Sequence, residues 1–149
     1  MKIKNIMSSL LVTVEKDDSI EHVKDIFEST RFHHVLVVDN KKLVGVVSDR
    51  DLLKQLSPFI GSDSENHRDL ATLKRRVHQI MSSNLTTLSP ENTVMDAVRV
   101  FNRKHFSCVP IVDDDFNALG IISWRDILLY TEKRVTEKKG NSGGEVKGP

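Results

Sequence analysis

The chain has 149 residues, of which 38% are hydrophobic and 29% charged, and its formal net charge is +1. This balance is typical of a folded globular protein, excludes the basic stripe that nucleic-acid binding needs, and leaves no apolar run near the ~20 residues of a membrane span. Because Cys108 is the only cysteine, no intramolecular disulfide can form, and we expect a cytoplasmic protein that binds neither nucleic acid nor membrane.

The first half of the chain predicts a strand, a helix, two strands and a second helix. A short β-prone segment, Val12–Val14, is followed by a polar turn and an amphipathic helix whose N-cap is Ser19. Two unbroken aliphatic runs, Val35–Val38 and Leu43–Val47, are typical of strands covered on both faces. The last helix is predicted to begin at Ser48.

A segment of different character follows this helix. Ser57–Pro58 is expected to end the helix, and the next residues have the composition of a loop. Asp69–Gln79 then carries Leu70, Leu73 and Val77 on one helical face. This pattern predicts an amphipathic helix in the linker.

The second half repeats the first. Ile6–Ser9 recurs as Ile80–Ser83, and after one extra residue near Asp114–Asn117, the segment Gly45–Asp51 recurs as Gly120–Asp126. The sequence therefore predicts an α/β (α+β) fold in which a β-α-β-β-α unit occurs twice. The predicted elements of the second copy are a β-prone segment at Thr86–Leu88, a helix capped by Thr93, strands at Val109–Val112 and Leu119–Ile122, and a helix from Ser123.

These patterns divide the chain into four parts. We expect the first repeat at residues 1–57, a linker with a helix at 58–76, and the second repeat at 77–133. The remaining residues, 134–149, have too few apolar side chains to form a core and are expected to be mobile.

A serine and an aspartate recur at the start of the last helix in each copy. Ser48 precedes Asp51, and Ser123 precedes Asp126, by three residues. One such pair is close to the capping box that satisfies free helix N–H groups. Its recurrence after an apolar strand, at a helix N-terminus that attracts anions, also fits a nucleoside with an anionic extension. The carboxylate can accept two hydrogen bonds from a ribose diol.

The order of these motifs resembles a pair of CBS domains, over about Ile3 to Tyr130. The resemblance rests on the two Met-Ser-Ser starts, the strand patterns HHVLVVD and SCVPIVD, and the endings GVVSDRD and GIISWRD. It implies two repeats packed about a pseudo-twofold axis, with clefts that bind AMP, ADP, ATP or S-adenosylmethionine. It also implies a homodimer that senses a ligand without catalysis and signals to an unidentified effector protein.

The resemblance assigns roles residue by residue. Asp51 and Asp126 would hold ribose hydroxyls, with Ser48 and Ser123 beside the ribose or phosphate. The residues implied beside adenine are Val46, Ile121, Thr13, Val14, Thr87 and Leu88. The residues implied at the second-strand starts and near phosphate are His33, His34, Val35, Ser107, Cys108, Val109, Pro110, Arg50 and Arg125.

Several alternatives stay open. His33 and His34 open an apolar strand, where a structural histidine is the commoner case, and no spacing indicates a metal site. The second copy has Ser107 and Cys108 at these positions, so the two clefts should not bind phosphate equally well. The sequence leaves open which cleft His33 and His34 line. The competing function is ligand-independent dimerisation or docking. An enzyme is the third alternative, but no nucleophile–base pair or phosphate loop supports it.

Overall fold

The computed structural model describes residues 1–56 and 71–143, with side chains up to residue 140. The expected helix end at Ser57–Pro58, the contribution of Leu70 to the linker helix, and residues 144–149 lie outside these ranges. Within the described ranges, none of the helices combines the length and apolar character that crossing a membrane requires.

The first repeat follows the predicted order. Its elements are β1 (Thr13–Glu15), α1 (Ile20–Ser29), β2 (His34–Asp39), β3 (Lys42–Ser48) and α2 (Asp49–Gln55). β2 lies in the middle of a three-stranded sheet, parallel to β1 and antiparallel to β3. The side chain of Ser19 accepts a hydrogen bond from the backbone N–H of His22, as an N-cap should.

The second repeat has the same order except for its first strand. Its elements are α3 (Val94–Arg103), β4 (Cys108–Val112), β5 (Ala118–Ser123) and α4 (Trp124–Gly143). β4 and β5 form an antiparallel two-stranded sheet.

The predicted strand at Thr86–Leu88 is shortened to a single bridge, in which Leu88 pairs in parallel with Ile111 of β4. In the first repeat, the N–H of Leu36 donates to the carbonyl of Val12 at 3.0 Å and extends the ladder. The matching residue of β4 is Pro110, which has no N–H to donate. The ladder of the second repeat therefore shrinks to a single bridge.

The predicted linker helix is shorter than expected. Residues 71–73 are helical, but Arg76 is extended and forms a backbone bridge with Ser19. A 3-10 turn at Val77–Gln79 follows, and the N–H of Val77 donates to the carbonyl of Asp18 at 2.8 Å. Pairing with the first repeat thus replaces the helical hydrogen bonds that the apolar spacing predicted.

Residues 134–143, which belong to the tail that is expected to be mobile, continue α4. Arginine, glutamate and lysine, which are good helix formers, occupy positions 134, 137, 138 and 139 of this extension. The guanidinium of Arg134 also donates to the hydroxyl of Tyr130, one turn earlier, at 2.8 Å.

Each repeat completes its core with the segment that opens the other repeat. Ile3 is fully buried among the core residues of the second repeat, and Val77 is fully buried among those of the first. The backbone contacts match, since Ile3 N–H donates to Asn92 and Val77 N–H donates to Asp18, both at 2.8 Å. A third cluster, with Leu36 buried at its centre, joins the two repeats. These reciprocal contacts are those of a pseudo-twofold arrangement.

Two glycines allow the segment that opens each repeat to approach the sheet of the other repeat. We call these two segments the exchanged segments. A Cβ atom on Gly120 would lie 2.9 Å from the backbone oxygen of Ser8 and 2.7 Å from the Sδ of Met7. The three atoms nearest to a Cβ atom on Gly45 all belong to the side chain of Met81. Because a backbone oxygen cannot move aside as a methionine can, the position of Gly120 is the less tolerant one.

We expect Gly120→Ala to lower the free energy of unfolding by about 1–3 kcal/mol, the usual cost of overpacking. Gly45→Ala should cost less, because Met81 can adopt another rotamer. Gly140→Ala is the control, since nothing lies within 4 Å of its added Cβ, and it should leave stability unchanged or raise it by up to about 1 kcal/mol. Urea unfolding midpoints measure all three variants, and a Gly120→Ala variant as stable as the parent would refute the close-approach argument.

Candidate functional site

Two clefts lie where the repeats meet. The larger, the Asp126 cleft, has a volume of about 670 Å³, and the smaller, the Asp51 cleft, about 230 Å³. The Asp126 cleft is lined by Ser8, Leu10, Leu11, Val12, Arg31, Phe32, His33, His34, Leu36, Ser48, Asp49, Arg50, Ser107, Cys108, Ile121, Ser123, Trp124, Arg125 and Asp126. The Asp51 cleft is lined by His34, Val46, Ser48, Asp51, Ser82, Asn84, Leu85, Thr86, His105, Phe106, Ser107, Cys108 and Pro110.

Each cleft combines the start of the last helix of one repeat with residues near the start of the other repeat. We call these residues the entry segments, 8–12 in the first repeat and 82–86 in the second. Ser8 and Ile121 exchange two backbone hydrogen bonds of 2.9 Å, which place the first entry segment beside β5. Ser82 and Val46 form the matching pair beside β3, at 2.9 and 3.1 Å. This crossing answers the question left open by the sequence, because it places His33 on the Asp126 cleft, whereas His34 lines both clefts.

Both serine–aspartate pairs form capping interactions. Asp51 Oδ2 accepts from the N–H of Ser48 at 3.0 Å, and Ser48 Oγ accepts from the N–H of Asp51 at 3.1 Å. In the second repeat, Asp126 Oδ2 accepts from the N–H of Ser123 at 2.8 Å and from its hydroxyl at 3.1 Å. Among the described residues, no hydrogen bond uses the Oδ1 atom of either carboxylate. Capping and ribose binding are therefore compatible, because they need different oxygens.

The charges of the two clefts differ. The Asp126 cleft is lined by three arginines, Arg31, Arg50 and Arg125, all exposed. The described lining of the Asp51 cleft holds neither lysine nor arginine. An anionic group is therefore favoured in the Asp126 cleft, since arginine pairs well with phosphate oxygens.

The two neighbouring histidines have different surroundings. Nδ1 of His33 lies 2.9 Å from Asp49 Oδ2 at the exposed mouth of the Asp126 cleft. Nε2 of His34 lies 2.8 Å from the hydroxyl of Ser107, in the opposite repeat. Burial lowers the pKa of His34, an effect that the carboxylates of Asp49 and Asp51 oppose. His34 is therefore held in its neutral form more strongly than an exposed histidine.

The lowered pKa of His34 predicts a loss of stability in acid. The folded protein binds this proton less readily than the unfolded chain, whose histidine has a pKa near 6.5. Above pH 6.5, His34 makes its full contribution to the free energy of unfolding. This contribution is lost as the pH falls below 6.5 toward the lowered pKa of His34 in the folded protein. In His34→Gln, which keeps a polar side chain beside Ser107, the pH dependence of the unfolding free energy should be shallower in this window. Parallel slopes for parent and variant between about pH 7 and 5 would contradict the prediction.

Cys108 is buried at the start of β4 and touches both clefts. Burial raises the pKa of its thiol to about 12. The thiol is therefore protonated at neutral pH and is a weak nucleophile. It acts as a small side chain in the wall between the clefts.

Six of the expected site residues do not line either cleft. Val14, Val35 and Val109 point into the cores of their repeats, and Leu88 packs against the core of the second repeat. Because neighbouring strand residues face opposite sides, an error of one position moves a side chain from cleft to core. The six expected residues that line neither cleft are Thr13, Val14, Val35, Thr87, Leu88 and Val109.

The parts of the entry segments that reach the clefts were not predicted from the sequence. The lining begins several residues earlier, with Leu10, Leu11 and Val12 in the first repeat. Arg31 and Trp124, which line the Asp126 cleft, were not predicted either. The other missed lining residues are Ser8, Phe32, Leu36, Asp49, Ser82, Asn84, Leu85, Thr86, His105 and Phe106.

Comparison with known proteins identifies the family. The CBS domain model matches residues 3–58 and 77–133, so the chain belongs to the CBS domain family and carries a pair of these domains. Across the described ranges, no three histidine, cysteine, aspartate or glutamate side chains cluster in a way that could hold a metal ion.

Individual relatives share this organisation. An uncharacterised protein of Methanocaldococcus jannaschii is 30% identical over 139 residues, which are 93% of this chain and 47% of that protein. This chain thus spans about half the length of that relative. A CBS domain-containing protein of Dictyostelium discoideum is 27% identical over 128 residues, 85% of this chain and 88% of its own. The crystal structure of the CBS domain pair of protein MJ0100, in complex with 5′-methylthioadenosine and S-adenosyl-L-methionine, superposes with a TM-score of 0.74 at 25% identity. It covers 90% of this chain and 98% of that one.

Proposed function

We propose that this chain is a cytoplasmic regulatory module that binds an adenosine-containing ligand in the Asp126 cleft. The observation that carries the proposal is the helix start of α4, where Asp126 Oδ1 has no hydrogen bond from the described residues. The cleft volume of about 670 Å³ falls within the range of small-molecule sites, roughly 300–1,000 Å³. The adenosine-containing ligands of the similar MJ0100 domain pair support the same ligand class.

The charge of the cleft favours AMP, ADP or ATP over S-adenosylmethionine. Arg31, Arg50 and Arg125 offer guanidinium groups to a phosphate chain. S-adenosylmethionine carries a positive sulfonium centre, which these side chains would repel. The ribose would bind Asp126, and the adenine would pack among apolar side chains such as Ile121 and Val12.

Regulation follows from how the cleft is built. Its walls come from both repeats, so a bound ligand contacts both and favours one relative position of the two. Such a change can be transmitted to an effector protein without any chemical step. We therefore propose a non-catalytic sensor.

A ligand-stabilisation experiment tests the proposal. Purified protein is unfolded by heat with AMP, ADP, ATP or S-adenosylmethionine, and with inorganic pyrophosphate and adenosine as part-ligand controls. A ligand at 100 times its Kd adds about 2.7 kcal/mol to stability, which raises Tm by about 5–10 °C at this chain length. We expect the largest shift with a phosphorylated adenosine. The proposal fails if none of the three nucleotides raises Tm at millimolar concentration.

The second candidate function is dimerisation or docking that needs no ligand. It is favoured by an apolar stripe on α4, where Trp124, Leu128 and Val135 lie on one helical face and are 50%, 63% and 48% exposed. A homodimer is the form of this candidate that we propose to test. Light scattering of the ligand-free protein should show a dimer that Leu128→Glu dissociates. A monomer at all concentrations would eliminate this candidate.

A further inference from the structure

The outward faces of the matching helices α1 and α3 carry opposite charges. On α1, Glu21, Asp25 and Glu28 have the spacing of one helical face and are all exposed. On α3, Arg99 and Arg103 are exposed one turn apart, and Arg99 occupies the position that matches Asp25. Because both repeats have the same fold, the fold does not require this difference. The opposite charges are a property of this sequence.

These charges are largely unused within the chain. Among the described residues, no ion pair involves Glu21, Asp25 or Arg103. Arg99 has one weak partner, since its Nη1 lies 3.5 Å from Asp96 Oδ1 on the same helix. Both faces are therefore available to groups outside the chain.

A groove of about 550 Å³ lies beside the two arginines of α3. It runs between α3 and the segment that precedes this helix, and Leu88 and Val100 are apolar residues of its lining. Its described lining also holds three cationic residues against a single acid, Asp96. The groove thus favours an occupant with acidic side chains. The cationic residues are Arg99, Arg103 and Lys104.

The neighbouring helix of each repeat carries the same exposed apolar residue. Leu53 of α2 and Leu128 of α4 occupy matching positions and are 69% and 63% exposed. α2 packs against α1, and α4 packs against α3, where the rings of Trp124 and Phe101 are 5.8 Å apart. The two leucines alone would allow a second copy to dock in either orientation. Only the charges of α1 and α3 distinguish the two repeats at this surface.

We infer that a second copy of this chain binds head to tail, with the acidic face of α1 in one copy against the basic face of α3 in the other. The inference rests on the homodimer proposed above. In a twofold dimer, a contact between α1 and α3 occurs twice. The opposite orientation places α1 on α1 and α3 on α3, so that like charges meet on both sides. Head-to-tail binding replaces these two repulsions with two attractions.

Exchanging the matching residues tests the inference, with the dimer Kd measured by analytical ultracentrifugation. The parent should form a dimer that high salt weakens, because salt screens the attraction. Arg99→Asp puts acids on both faces and should raise the Kd about tenfold, since the altered contact occurs twice. Asp25→Arg puts cations on both faces and should do the same. The double variant exchanges the two residues between the repeats and should return the Kd to within about threefold of the parent.

Lys41→Glu is the control, because Lys41 lies in the exposed turn between β2 and β3 and its reversal changes the net charge as much as Arg99→Asp does. Its Kd should match the parent, and circular dichroism checks that every variant is folded. Two outcomes would overturn the head-to-tail arrangement and leave the homodimer standing: single variants that do not weaken the dimer more than Lys41→Glu, or a double variant that does not recover. A dimer that high salt tightens would also overturn it, because like faces would then meet. A parent that is monomeric at every concentration would overturn both proposals and leave the basic face to an acidic segment of a different protein.

Discussion

Asp126→Asn should weaken ATP binding by about 10- to 100-fold, because a hydrogen bond to a charged group contributes about 1.5–3 kcal/mol. Asp51→Asn should change the affinity by less than about threefold, since Asp51 lies on the other cleft. The contrast is informative because the two aspartates occupy matching positions. The two aspartates differ in the cleft that they line.

Asparagine separates binding from folding at this position. Its amide oxygen can still accept from the N–H of Ser123, the bond that Asp126 Oδ2 now accepts at 2.8 Å. The ribose would lose the charged oxygen that holds its hydroxyls. We therefore expect the unfolding free energy of Asp126→Asn to stay within about 1 kcal/mol of the parent while affinity falls.

Titration calorimetry at two salt concentrations completes this experiment. The arginines of the Asp126 cleft are exposed, so ATP affinity should fall with added salt, while adenosine affinity should not. Equal losses in Asp126→Asn and Asp51→Asn would mean that the clefts do not differ as we propose. An unchanged affinity in Asp126→Asn would remove that residue from the ribose site.

Local patterns were enough to predict most of the fold. Serine N-caps and amphipathic spacing located α1 and α2, and unbroken aliphatic runs located β2 to β5 within one residue at each end. These signals lie within a few residues of the elements they specify. The loss of the strand at Thr86–Leu88 was also foreseeable, because Pro110 removes a ladder donor on the partner strand.

The clefts were harder to predict, because they depend on contacts between distant segments. The motif that ends in Asp51 or Asp126 indicated the helix starts, but nothing local shows which entry segment lies opposite. The pairing of Ser8 with Ile121 sets that arrangement, and it joins the beginning of the chain to the second repeat. The residues of the entry segments were therefore assigned one or more positions too far along the chain.

The second large effect is expected at Ile3, in the segment that opens the first repeat and completes the core of the second. Ile3→Ala should lower the free energy of unfolding by about 2–5 kcal/mol, the usual cost of truncating a buried isoleucine. Ile3 is 0% exposed, and Met1, at 60%, provides the control. Met1→Ala, with the initiator methionine retained ahead of it, should change stability by less than about 0.5 kcal/mol.

The single tryptophan reports which repeat loses stability. Trp124 packs against Phe101 of the second core at a ring distance of 5.8 Å, and its indole N–H donates to the carbonyl of Phe106. Because Ile3 belongs to the same core as Phe101, Ile3→Ala should shift the fluorescence-detected unfolding midpoint at least as far as the midpoint from circular dichroism. Val77 takes the matching place in the core of the first repeat. If the repeats unfold separately, Val77→Ala should shift the midpoint from circular dichroism further than the fluorescence-detected midpoint. If Ile3→Ala is as stable as Met1→Ala, the N-terminal segment does not complete the core of the second repeat in solution.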